Sequence, residues 1–234
     1  SIRHHKNAIS LALQYAVDEE IIATNPAARI RLPKIEKPKH TVYNVEQVRK
    51  LLEAVKDDEY YPVIYLAVYF GLRLSEILGL EWSAIDLKVQ TMEIRKTVSA
   101  VTEEVIEEKT KTTSSHRTLP IPDSCMPFFK ELIQRQKADR AAMGADYDVN
   151  DWVCKHKDGK PFHSKTVSPA FPKLLKKYGL DKLTFHELRH TFASLMYTRQ
   201  EDIKKVSDIL GHSSVRVTAD IYVHLGAEEK RDAM

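Results

Sequence analysis

The stretch from Tyr60 to Phe70, YYPVIYLAVYF, is almost wholly apolar, and it constrains this chain more than any other feature. Crossing a bilayer takes about 20 apolar residues, so this run is far too short, and it carries Pro62 near its start. It reads instead as a buried helix over Tyr61–Phe70, stopped by Gly71, around which other elements must be packed. At 234 residues the chain has room for one sizeable domain, or for one domain with a fragment of another. No basic-then-apolar leader is legible at its start, and no membrane association is expected. Cys125 and Cys154 are its two cysteines and lack CxxC spacing. That argues against a disulfide scaffold or a finger-type zinc site and suits a reducing, cytoplasmic setting. The balance of 36 Lys+Arg against 33 Asp+Glu, net +3, is compatible with a nucleic-acid partner without singling one out.

The chain opens in a helix whose apolar face is Ile9, Leu11, Leu13, Ala16 and Val17, fading by Ala23 before Asn25-Pro26. A lone helix cannot bury its own apolar face, so residues 1–28 are expected to be the C-terminal remnant of an N-terminal helical domain. Residues 29–43 read as a basic linker. Arg29, Arg31, Lys34, Lys37 and Lys39 stand there against a single acid, Glu36, and Pro33 and Pro38 block regular structure. Such a segment is either a solvated connector or a strap lying on a phosphate backbone. From Asn44, an N-cap, a helix should turn Val45, Val48, Leu51, Leu52 and Val55 inward. A short helix over Ser75–Leu80 precedes Trp82. Thr91–Val98, Glu104–Glu108 and Arg117–Ile121 are β-favouring and predict three short strands. Helices are expected again over Asp123–Met143, Val167–Tyr178, Phe185–Arg199, Ile203–Leu210 and Val215–Val223. The fold class is therefore α+β: a mostly helical domain over residues 44–227 with a small antiparallel three-stranded sheet at one edge, then a tail over residues 228–234.

Four clusters carry chemistry. Gly71-Leu72-Arg73-Leu74-Ser75-Glu76 sets an arginine between two apolar helices, where it serves either an anion or a surface pair with Glu76. Lys109 to Arg117 (KTKTTSSHR) is dense in cations and hydroxyls between two strands: a solvated turn, or a hairpin pressing a lysine toward a phosphate. His186-Glu187-Leu188-Arg189-His190 matches the H-E-x-x-H zinc-peptidase helix. Its metzincin extension fails, however, at Ala193 and Met196, and Arg189 places a fixed cation beside His190. Read otherwise, His186 and Arg189 at i and i+3 share a helix face and offer an imidazole and a guanidinium fork to one oxyanion. Leu210-Gly211-His212 is followed by Thr218 and Tyr222-Val223-His224. Among ten tyrosines Tyr222 is distinguished by a short helix close behind His212, with Tyr197 the runner-up.

In this order and spacing the clusters resemble the tyrosine recombinase (phage integrase) family over essentially all of Asn44–Ala227, and mobile-element integrases of Gram-positive bacteria and their phages in particular. The resembling features are G-L-R-x-S-E, a hairpin lysine, H-x-L-R-H, L-G-H and a tyrosine followed by x-H. The N-terminal helix also looks like the last helix of that family's core-binding domain. The resemblance implies a catalytic domain that cuts and rejoins DNA through a 3′-phosphotyrosyl bond, with Tyr222 as nucleophile. Arg73 and Arg189 would clamp the phosphate, His212 would add a hydrogen bond, and His186 would assist proton transfer. Lys111 would protonate the leaving 5′ oxygen; Lys109 competes, but the Thr110-Lys111-Thr112 run matches the family better. Glu76 would orient Arg73, and Arg117 with the linker cations would contact DNA. The implied partners are double-stranded attachment sites, three further copies in a homotetramer on DNA, and accessory DNA-bending or directionality proteins, with no cofactor or metal. A type IB topoisomerase-like enzyme or a non-catalytic DNA-binding regulator would share much of this pattern.

Overall fold

In the computed structural model of the protein, residues 2–33, 41–98, 105–107 (backbone alone) and 116–222 are described. The chain divides into two compact units, Ser1–Lys39 and His40–Met234. The first holds helix α1 (Ile2–Asp18) and a 3-10 turn, Pro26–Arg29. Asn25 ties the two together: its side-chain amide donates to the Ser10 carbonyl (2.8 Å) and its carbonyl oxygen accepts from the Ala27 N–H (3.0 Å). No residue of α1 is buried, and Ile9, Leu11 and Tyr15 are exposed.

The second unit begins with α2 (Val45–Ala54), α3 (Tyr61–Phe70) and α4 (Leu74–Leu78). Asn44 starts α2 through a reciprocal capping box with Gln47. α3 spans the predicted residues and is buried nearly all round, with Val63, Ile64, Leu66 and Ala67 at its centre. Burying a Val, Ile or Leu side chain contributes about 1.5–3 kcal/mol, so α3 is the axis of the core. Gly71 ends it in the left-handed conformation (φ +62°), which lets the chain reverse into α4 at once.

Strands β1 (Ile85–Asp86), β2 (Thr91–Ile94), β3 (Lys96–Val98), β4 (Val105–Glu107) and β5 (Arg117–Pro120) follow. The expected small antiparallel three-stranded sheet is present, with a composition that the strand-forming segments alone did not give. The three-stranded antiparallel sheet runs β1–β2–β5, while β3 and β4 form a separate two-stranded ribbon. The segment Thr91–Val98 is thus two strands that change partner at Arg95. The β2–β5 register ends at Ile94↔Arg117, and β3 resumes against β4 from Lys96↔Glu107. Arg95 belongs to neither strand; its guanidinium reaches Ser83 Oγ (2.8 Å) and Glu81 (3.2 Å).

Four helices complete the unit: α5 (Met126–Met143), α6 (Ser164–Lys177), α7 (Phe185–Thr198) and α8 (Ile203–Leu210), with a further helical segment at residues 215–222. α7 packs along α3, and Phe192 and Ala193 of α7 with Val206 and Leu210 of α8 form a second small apolar cluster. Gly211 ends α8 at φ +65°. The same device as at Gly71 therefore places two helix ends, each followed by a candidate side chain, against α7. Among the described residues no helix is long and apolar enough to cross a membrane.

Candidate active site

The left-handed turns at Gly71 and Gly211 leave backbone carbonyls open, and two arginines fill them. Arg73, two residues past the Gly71 turn and at the N-cap of α4, donates from Nη2 to the Gly211 carbonyl (2.8 Å). Arg189 on α7 donates from Nη1 to the Gly71 carbonyl (2.8 Å) and from Nη2 to the Leu210 carbonyl (2.6 Å). Two arginines from distant parts of the chain thus bind consecutive carbonyls, Leu210 and Gly211, and the next residue is His212. Arg189 is 4% exposed. Burial, with the charges of Arg73 and Arg117, pushes its pKa down to about 9, so it stays charged at neutral pH. Arg73 is partly open, its side chain 38% exposed.

Glu76, 3% exposed, sits beneath this pair. Its Oε2 accepts the Arg73 backbone N–H (2.8 Å) and its Oε1 accepts Arg73 Nη1 (2.7 Å). Burial alone would raise its pKa, but the hydrogen bonds and charge of Arg117, then Arg73, outweigh that and hold it below the usual carboxylate value. Arg117, expected to contact DNA, is turned into the protein. Both of its terminal nitrogens donate to Glu76 (3.0 Å each) and Nε donates to the Ile209 carbonyl (2.7 Å). Strand parity carries the missed signal. Arg117, Leu119 and Ile121 alternate onto one face, and Leu119 and Ile121 are core residues, so a charge at position 117 requires a buried partner.

His212 is half-buried, its Nδ1 2.8 Å from Thr218 Oγ1, and Thr218 is fully buried. Burial, then the charges of Arg189, Arg73, His190 and Arg117, push the pKa of His212 down to about 4, leaving a neutral imidazole. His186 and His190 lie edge to face on α7 with ring centres 5.0 Å apart; His186 is exposed. Glu187, the base of a zinc-peptidase reading, instead caps α7: Oε2 accepts from the Thr184 N–H (2.7 Å) and hydroxyl (2.8 Å), and Oε1 from the Thr41 N–H (3.1 Å). Thr41 and Tyr43, whose N–H donates to Thr191 Oγ1 (3.1 Å), lash the start of the unit to this helix. Sequence reasoning gave none of these threonines a role.

Tyr222 is not bonded into the cluster. Its ring packs edge-on against Tyr197 (centres 4.9 Å apart), and its hydroxyl is buried with no hydrogen-bond partner among the described residues. Burial, with Glu201 and Asp202, raises its pKa. Beside it lies an open cavity of about 560 Å³ lined by Tyr197, Thr198, Gln200, Glu201 and Ile203. Lys109 and Lys111, like Lys34, Lys37 and Lys39 of the linker, lie outside the described residues. Arg29 and Arg31 are exposed in the first unit.

The chain is similar to known proteins along its whole length. A tyrosine recombinase XerC-like protein of Caldanaerobacter subterraneus subsp. tengcongensis is 32% identical, over all of this chain and 64% of that protein. The ICEBs1 integrase of Bacillus subtilis is 23% identical over 99% of this chain and 63% of that protein. The chain thus spans just under two thirds of the length of these curated relatives. The Tn1549 transposon integrase in complex with circular intermediate DNA superposes with a TM-score of 0.80 at 21% identity, over 98% of this chain and 78% of that one. A lambda integrase dimer bound to a COC′ core site gives 0.66 at 22%, over 93% and 71%. At such identities the likeness is one of fold, and that fold is the mostly helical domain with its small antiparallel sheet. The model of the phage integrase family matches residues 42–229, and the chain belongs to that family.

Proposed function

We propose that this chain is the catalytic part of a site-specific DNA recombinase that breaks and rejoins strands through a covalent bond between Tyr222 and a phosphate. The observation that carries the reading is the convergence of Arg73, Arg189 and His212 on three consecutive residues, Leu210–His212. Three arginines and one carboxylate leave this site strongly positive, with Arg73 and His212 open enough to meet an anion. Phosphoryl transfer needs charge neutralisation, an in-line nucleophile and a proton for the leaving group. Arg73 and Arg189 supply the first. His212 is neutral, and in the tautomer whose Nδ1 accepts the Thr218 hydroxyl it offers Nε2–H to a non-bridging oxygen. His186, exposed on the same helix as Arg189, assists proton transfer.

In the cleavage step the Tyr222 oxygen forms a bond to phosphorus as the bond to the 5′ oxygen breaks. The tyrosine proton passes to a base and the leaving oxygen takes one from Lys111. The phosphotyrosine keeps the bond energy, so religation needs no nucleotide. Tyr222 packs on Tyr197 and against the apolar cluster that includes Leu210, the first residue of the Leu210–His212 rim, and burial holds its pKa up until a base takes its proton. Two related proteins are described on their DNA, as a transposon integrase on a circular intermediate and a lambda integrase dimer on a core site. That supports double-stranded attachment sites as substrate, assembly of several copies on them and a mobile-element origin; accessory DNA-bending or directionality proteins and a cytoplasmic location belong to the same reading as expectations. Residues 1–28 belong, on this reading, to a core-binding domain, and residues 29–43 strap the DNA.

Strand exchange tests the proposal. Two differently end-labelled attachment duplexes incubated with the protein are expected to yield products with exchanged flanks. Relaxation of a supercoiled plasmid without exchange would point to a type IB topoisomerase-like enzyme instead.

A further inference from the structure

We infer that Arg117 is a positioning residue for strand cleavage, fixing from behind both supports on which Arg73 rests. The inference builds on the reading of Arg73 as a phosphate ligand. Arg73 is held at two points, Glu76 Oε1 and the Gly211 carbonyl. Arg117 reaches the first support directly and the backbone that leads into the second. Its fork takes the two oxygens of Glu76, and its Nε takes the carbonyl of Ile209, two residues before Gly211.

With the Arg117 side chain 9% and Glu76 3% exposed, these bonds are shielded from water, where charge-assisted bidentate pairs are strongest. The guanidinium fork suits the task because three donors in one plane can bind a carboxylate and a carbonyl together; an ammonium cannot match that plane. Arg117 also neutralises Glu76. Without it Arg73 would be the remaining arginine bonded to the carboxylate among the described residues, with Arg189 acting on it only through its charge, and more of the charge that Arg73 offers a phosphate would be spent internally.

Charged groups face Glu76 from three elements: Arg73 at the start of α4, Arg117 on β5 and Arg189 on α7. Removing Arg117 removes the largest influence keeping Glu76 ionised. The acid limb of the cleavage rate should then move to higher pH, which a merely structural arginine would not cause.

The test is single-turnover cleavage of nicked duplexes selected from a random-core pool by covalent capture on the wild-type protein. If the wild type captures nothing, the recombinase reading fails before Arg117 is reached. Arg117→Gln, folded by circular dichroism, is expected to cleave roughly 10–100-fold more slowly, with DNA affinity little changed and the acid limb displaced upward. Arg117→Gln leaves a buried carboxylate half-paired and so endangers the fold. The double variant Arg117→Gln/Glu76→Gln removes that charge; it should fold, cleave as slowly, and lose the acid limb. Should neither fold, Arg117→Lys is judged by the same rate and pH criteria. A wild-type rate in any folded variant, an equal fall in affinity and rate, or an unmoved pH profile in Arg117→Gln would overturn the inference.

Discussion

Burial sets the state of His212, and the consequence can be measured. Its folded pKa of about 4 lies below the ordinary 6.5, so the unfolded chain binds a proton that the folded chain refuses. The stability this histidine contributes is present above pH 6.5 and is lost as pH falls toward 4. Proton NMR should place the His212 ring midpoint near 4, and a midpoint at 6.5 or above would contradict the buried, cation-flanked site. Lys111 yields a second expectation. A substrate whose 5′ bridging oxygen is replaced by sulfur needs little protonation at the leaving group. It should restore cleavage to Lys111→Ala, and restoration of Lys109→Ala instead would move the acid to Lys109. Arg73 stood out in the sequence between two apolar helices, Arg189 through its shared helix face with His186, and His212 through the L-G-H pattern on which the resemblance partly rests. Arg117 was misread because its meaning lies in strand parity, and the anchoring role of Thr218 because a lone threonine is ordinary anywhere.

At the scale of elements, Gly71 does more than end a helix. A Cβ at Gly71 would stand 2.6 Å from Phe192 Cδ1 and 2.7 Å from Leu210 Cδ2, while one at Gly179, also left-handed (φ +64°), would meet nothing within 4 Å. Gly71→Ala should therefore cost about 2–4 kcal/mol, combining overpacking with backbone strain, and lower the melting temperature by roughly 5–15 °C. Gly179→Ala should cost only the strain. Equal losses would show that close packing of α3 on α7 and α8 is not what Gly71 serves. The helices were legible because their signals are local: Asn44 caps α2, and apolar residues fill Tyr61–Phe70 to its last position. The sheet was legible as three short strands but not in its pairing. Whether Thr91–Val98 is one strand or two depends on where Arg117 and Glu107 lie opposite it, and no local pattern reports that.

For the whole molecule, every bonded member of the arginine–histidine site among the described residues belongs to the unit His40–Met234, and the family match covers residues 42–229 of the same unit. The site is thus assembled by one fold, and the sequence pointed to Arg73, Glu76, Arg189 and His212 but not to the inward turn of Arg117, the anchoring by Thr218 or the resting place of Tyr222. Nothing in the residues around Tyr222 says that it packs on Tyr197, because that contact joins two helices whose geometry is set by α8 between them. The measurement that bears most directly on the central claim is covalent capture. Wild-type protein and Tyr222→Phe are each incubated with a nicked duplex carrying the attachment-site core, denatured, and resolved by size. A protein–DNA band from the wild type and none from Tyr222→Phe is the predicted result. An undiminished band from Tyr222→Phe would place the nucleophile elsewhere, and no band from wild type on a bound site would contradict cleavage itself.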